Sequence, residues 1–182
     1  MAEPVPADAA ADVVVGDFAE IVRRHQSMVF SIALHFLADP PAAEELAQDV
    51  FMQLHAKLST LKSPEHVVFW LRKVTSHRCI DRMRRHRMPQ VSLEDLPESV
   101  AFSLGVQPAD PFLARRLQQL VASLPGKARL MVILRYQEDL SAEDIAGILD
   151  MPAATVKSHL QRALAMLRDK VVSTMGEVRS DK

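Results

Sequence analysis

Apolar residues recur every three to four positions through two stretches of this chain, and the periodicity lapses between Pro89 and Pro111. That spacing lays an apolar stripe along a helix, so the chain is confined to helices packed on helices. In the first stretch Phe18, Ile21, Val22, Met28, Val29, Ile32, Phe36 and Leu37 trace one helix. Asp39-Pro40-Pro41 ends it and opens another, because proline suits a first helical turn and not an interior. The second stripe is Leu46, Val50, Phe51, Leu54, Leu58 and Leu61. Ser63-Pro64-Glu65 then offers a cap and a start for a third helix, which carries Val67, Trp70, Leu71, Val74 and Met83 and stops before Pro89.

The second stretch reads as four shorter helices. Their stripes are Leu113, Leu117, Leu120 and Val121; Leu130, Ile133 and Leu134; Ile145, Ile148 and Leu149; and Val156, Leu160, Ala163 and Leu167. Leu124-Pro125-Gly126, Glu138-Asp139 with Ser141, and Asp150-Met151-Pro152 separate them. Between the two stretches Pro97, Gly105 and Pro108 break what pattern remains, which predicts a linker. The expected architecture is all-α: two small helical domains joined by a flexible acidic linker. The predicted boundaries are an acidic, disordered tail over 1–16, a first domain over 17–88, the linker over 89–111, a second domain over 112–172 and a tail over 173–182.

Composition removes competing classes. Five glycines, one tyrosine and one tryptophan are too few for the turns and aromatic strands of a barrel or sandwich. No apolar run approaches the roughly 20 residues of a membrane span, and no basic-then-apolar leader opens the chain, so a cytoplasmic protein without membrane insertion is expected. The single cysteine, Cys79, allows neither an internal disulfide nor a thiolate zinc set. His77-Arg78-Cys79 is neither a metal-ligand set nor a nucleophile with its base, and a glycine-rich phosphate loop is missing from the sequence. No catalytic residue, metal or cofactor is expected.

The net charge of −1 hides segregation. Residues 72–87 set Arg72, Lys73, Arg78, Arg82, Arg84, Arg85 and Arg87 against Asp81 alone. Residues 88–114 hold Glu94, Asp95, Glu98 and Asp110 with no Lys or Arg. A basic block of this kind is either a solvated helix face or a surface for nucleic acid, since phosphate binding follows local Lys and Arg density and not total charge. The acidic linker is either a solubilising spacer or a weak, salt-sensitive latch on that block.

Ser141-Ala142-Glu143-Asp144 predicts a capped helix that is short and ends near Leu149, with the next helix beginning three or four residues on. That is the tight turn of a DNA-binding helix-turn-helix, although an ordinary helical hairpin shares the spacing. In the DNA-binding case the second helix enters the major groove. Lys157 and Arg162 supply charge, Ser158, His159 and Gln161 can hydrogen-bond base edges, and Thr155 lies at the helix start, where backbone N–H groups can hold a phosphate. Ala146 is small enough for the two helices to pack closely.

"LPGKARLMVILRYQEDLSAEDIAGILDMPAATVKSHLQRALAMLR" resembles region four of bacterial sigma factors of the sigma-70 family, and of the extracytoplasmic-function group in particular. "AAEELAQDVFMQL", followed by "FWLRKVTSHRCIDRMRR", resembles region two of the same group. The resemblance spans about residues 17–170. It implies a factor that binds core RNA polymerase, through the β′ coiled coil and the β flap, directs it to promoter DNA and helps to start melting. It also implies control by an anti-sigma factor. The polymerase-binding positions it implies are Glu45, Gln48, Asp49, Phe51 and Leu54, although Phe51 fits a core equally well. Region two would meet DNA through Lys62 and Ser63 in the base-capturing loop Leu61–Pro64, and through Trp70, Lys73, His77, Arg78, Arg82, Arg84 and Arg85. Trp70 can serve either as a stacking platform or as core. The family commonly has Arg-Asn where this chain has Ser76-His77, which changes the donors available for base reading. Two other readings remain open: a regulator that binds DNA without polymerase, and a sigma mimic that sequesters an anti-sigma factor.

Overall fold

A computed structural model describes residues 17–86 and 111–180. Among the described residues the chain forms seven α-helices and one 3-10 turn, with no strand. The first block is α1 (Phe18–Leu37), α2 (Pro40–Lys57), the 3-10 turn Leu58–Thr60 and α3 (Pro64–His86). The second is α4 (Pro111–Ala122), α5 (Gly126–Tyr136), α6 (Ala142–Leu149) and α7 (Ala153–Ser180).

Helix boundaries follow the local chemistry. α1 ends on Ala38, a left-handed residue with φ 56° whose N–H reaches back to Leu34 O. Asp39 then caps α2 by accepting from the Ala42 N–H at 3.1 Å, with proline in the first turn. Ser63 accepts from the His66 N–H at 3.2 Å and starts α3. At α6 a complete capping box forms: the Ser141 hydroxyl accepts from the Asp144 N–H, and the Asp144 carboxylate accepts from the Ser141 N–H. Each cap satisfies backbone donors that a helix start leaves orphaned. α7 continues to Ser180, past residue 172, where the sequence pattern ends the second domain. The tail over 1–16 and nearly all of the expected linker lie outside the described residues.

The two blocks share one continuous core, a feature the tethered-domain reading does not contain. A single cluster of buried residues runs from Ile21 through Leu54 and Leu71 to Leu134, Ile148 and Ala163. α5 explains why. Its seven consecutive residues Ala128–Leu134 are all buried, Arg129 included. A helix covered on every side needs neighbours on every side, and α6 and α7 cover only part of it. α1 supplies the remainder, while α3 lies against α6.

Candidate nucleic-acid and polymerase interfaces

The basic helix α3 is the longest in the first block, and nearly every cation on it meets an acid. Arg78 donates to Asp49 of α2 at 3.0 Å and Arg82 to Glu45 of α2 at 2.7 Å. Arg84 lies 3.9 Å from Asp81 on its own helix, and Arg85 donates to the Asp81 carbonyl; both side chains are exposed. On the opposite side the partners come from the second block. Arg72 donates to Glu138 at 3.1 Å, and Lys73 to Asp150 at 2.6 Å. The His77 Nε2 lies 3.0 Å from the Ile148 carbonyl, so that nitrogen is the one bearing a proton, and 3.5 Å from the Asp150 carboxylate. The Lys73 ammonium holds the Asp150 carboxyl below its ordinary value.

Lys62 is exposed and Ser63 half-buried at the turn into α3, so the loop ahead of this helix faces solvent. Trp70 is half-buried and packs against the core. Ser76, beside His77, is fully buried and its hydroxyl has no partner.

The helix-turn-helix is formed by α6 and α7, joined through Asp150 at φ 52°. Val156, Leu160 and Ala163 are buried, which turns Thr155, Lys157, Gln161 and Arg162 outward. Ser158 and His159 are half-buried at the edge of that face. Lys157 donates to Glu143 at 2.8 Å, and that hydrogen bond holds the Glu143 carboxyl below the usual carboxylate range. Both groups are well exposed, so solvent screens the pair and it leaves Lys157 available to a phosphate.

Between α1 and α2 an open groove is lined by Phe18, Val22, Phe30, Ala47, Gln48, Phe51 and Met52, among others. Met52 is 72% exposed, a large apolar side chain in water. At one end Phe18 meets His55 edge-on, with ring centroids 5.0 Å apart. Of the five polymerase-binding positions implied by the resemblance, Gln48 and Phe51 line this groove, while Glu45 and Asp49 hold arginines of α3. Phe51 is 9% exposed, and Leu54 is wholly buried. Those two therefore shape the face from beneath, and Leu54 cannot itself touch a partner.

The residue that sequence reasoning passes over is Arg129. It is 8% exposed, and its Nη1 donates to the Phe36 carbonyl at 2.8 Å, while Nη2 donates to the carbonyl of Ala122. The helical partner of Phe36 O would be the N–H of residue 40, which is proline and has none. Arg129 supplies that donor across the two blocks, at the negative end of α1. The same logic holds at Ile148, whose partner would be Pro152 and whose carbonyl takes His77 instead. An arginine set between Ala128 and the apolar run Leu130–Leu134 was the available signal, combined with a proline four residues after each orphaned carbonyl.

Comparison with known proteins matches the same two blocks. The model of "Sigma-70 region 2" covers residues 21–88, and that of "Sigma-70, region 4" covers residues 114–167. The RNA polymerase sigma-E factor of Streptomyces coelicolor is 33% identical over 157 residues, covering 86% of this chain and 87% of that protein. The ECF RNA polymerase sigma factor SigW of Bacillus subtilis is 25% identical over 165 residues, covering 85% of this chain and 88% of its own length. Among solved structures, the sigma factor RpoE from Bartonella quintana, crystallised with the anti-sigma factor NepR, has a TM-score of 0.66 at 22% identity. It matches 85% of this chain and 96% of that one, a likeness of fold.

Proposed function

Because the chain belongs to the extracytoplasmic-function group of sigma-70 family RNA polymerase sigma factors, we propose that it acts in the cytoplasm as a non-catalytic initiation factor with two separate promoter-reading surfaces. Region two, residues 17–88, binds the β′ coiled coil of core polymerase along α1 and α2. Gln48 and the exposed groove beside it make the contact, with Glu45, Asp49, Phe51 and Leu54 fixing its shape. The loop at Lys62 and Ser63 and the cations of α3 take the upstream element nearest the start site and help to open it. Extruding a base costs a few kcal/mol, which a pocket and backbone contacts must offset. Region four, residues 112–172, reads the farther element with α7 through Thr155, Lys157, Gln161 and Arg162, and meets the β flap.

One observation carries this reading: a basic helix and a helix-turn-helix with an outward polar face occur in one chain, beside an apolar groove open to solvent. A regulator that needed no polymerase would have no use for that groove. An anti-sigma factor that covers the groove would keep the protein inactive; the Bartonella sigma factor of like fold was crystallised with an anti-sigma factor. The test compares promoter binding by the isolated protein with binding in the presence of core polymerase. Sequence preference should emerge only with polymerase, because two small surfaces gain avidity only when held at the right spacing. Tight, sequence-specific binding by the protein alone would overturn the proposal.

A further inference from the structure

Met52 is an apolar side chain on a polar row of α2. Gln48 precedes it by one turn and His55 follows by nearly one, so the three share a helix face, and all three line the groove between α1 and α2. Core packing does not account for Met52, because α2 meets the core through Leu46, Val50, Phe51 and Leu54. Among the methionines whose burial the structure describes, Met131 is wholly buried, and Met28, Met83, Met151 and Met166 are half-buried. Met52 alone is exposed, at 72%. The other sulfur open to oxidation by its chemistry, the thiol of Cys79, is wholly buried. Burial pushes its ionisation up, so it supplies no thiolate at neutral pH.

We propose that Met52 is an oxidative modification site: a peroxide converts its thioether to the sulfoxide, and the sulfoxide weakens binding of core polymerase to the groove. The consequence for polymerase rests on the sigma-factor reading given above. In the step, a sulfur lone pair attacks one oxygen of hydrogen peroxide and the O–O bond breaks. The other oxygen leaves as hydroxide, takes the proton of the hydroxyl now bound to sulfur, and becomes water. Sulfur loses two electrons and the peroxide gains them.

Oxidation replaces a flexible apolar group with a polar, chiral one. In the free chain water hydrates the S–O dipole, so folding is little affected, and the core contacts of α2 lie on another face. Beneath an apolar partner that hydration is lost. The apolar wall of Phe18, Val22, Phe30, Ala47 and Phe51 offers no side-chain donor to replace it. Methionine suits a docking surface because its unbranched, polarizable side chain adapts to the partner, and the sulfoxide forfeits that property.

The experiment treats the full chain with dilute hydrogen peroxide, removes the peroxide with catalase, and maps sulfoxide at each methionine by peptide mass spectrometry. Binding to untreated core polymerase is then measured by isothermal titration calorimetry, and thermal unfolding by circular dichroism. Met52 should oxidise faster than Met28, Met83, Met131, Met151 and Met166. Affinity for core polymerase should fall by about tenfold, the effect of one buried polar group left unpaired, with Tm unchanged. Methionine sulfoxide reductases for both epimers should restore it. M52L, whatever its starting affinity, should bind equally well before and after the same treatment. Oxidation of Met52 no faster than that of a half-buried methionine, full affinity in the oxidised wild type, or an equal loss in M52L would overturn the proposal. A loss of binding that accompanies a lowered Tm would overturn it as well. A chain that fails to bind core polymerase before any oxidation sinks the sigma-factor reading, and the relative oxidation rates then decide the modification site by themselves.

Discussion

Replacing Arg129 with Met keeps an unbranched, largely aliphatic stem and removes every donor. Two buried carbonyls, Phe36 O and Ala122 O, then lose their partner. Each stranded acceptor costs about 1–3 kcal/mol. Burial of the charge works in the other direction, for it pushes the guanidinium down to about 10, and Met carries no such desolvation. A cation donating to two helix ends is worth more than a neutral donor, so stranding wins and the net loss is about 2–4 kcal/mol. For a chain in this size range that lowers Tm by roughly 5–12 °C. Arg129→Lys should fall between, because one ammonium cannot reach two carbonyls as a planar fork does. The assay is thermal unfolding followed by circular dichroism, with urea titration as a second measure. If Arg129→Met melts within about 2 °C of wild type, the bridging role assigned to this residue is wrong.

Other outcomes follow from burial and capping. Leu54→Ala should lose about 2–5 kcal/mol of stability in urea unfolding, since Leu54 is wholly buried, whereas Gln48→Ala should unfold normally and weaken binding to core polymerase. Ser141→Ala breaks the capping box and should cost about 1 kcal/mol by urea unfolding. The Asp144 carboxyl is held below its usual 3.8 by donation from the Ser141 hydroxyl and N–H. Its contribution is therefore full above that pH and declines as pH falls below it, so acid should narrow the gap between wild type and Ser141→Ala. Alanine at Arg162 should weaken use of the farther promoter element by about 1–3 kcal/mol if it reads a base. If Arg162 meets a phosphate, the same change should lower the salt slope by about one unit with sequence preference unchanged. Normal transcription by the variant across a range of salt would remove that face from DNA recognition.

Most of the helices were legible because proline and capping residues punctuate a regular apolar period. Asp39-Pro40-Pro41, Ser63-Pro64 and Ser141 with Asp144 each mark a helix start that the structure contains. The helix-turn-helix face was legible for the same reason: burying Val156, Leu160 and Ala163 dictates which residues turn outward. What escaped was everything set by contacts between the blocks. Helical periodicity reports which side of a helix is apolar but not which helix covers it, so the docking of α1 on α5 could not be read from spacing. Charge counting had the same blind spot. It found an excess of cations on α3 and looked for their counterions in the nearest acidic sequence, while the observed partners of Arg72 and Lys73 lie 66 and 77 residues away. The resemblance likewise grouped Leu54, which is wholly buried, with Gln48, which lines the open groove.

The proposed function requires this chain to give core RNA polymerase a promoter preference that polymerase lacks alone. Run-off transcription on a library of randomised upstream elements, each template carrying a transcribed barcode that identifies its element, with core enzyme plus the full chain, measures that directly, and the barcodes in the transcripts are sequenced to recover the selected promoters. Transcripts should arise only when both proteins are present and should share two short motifs at fixed spacing. Substitution of Lys157 and Arg162 should relax the upstream motif alone. Transcription no different from that of core enzyme, or start sites without a shared motif, would contradict the account.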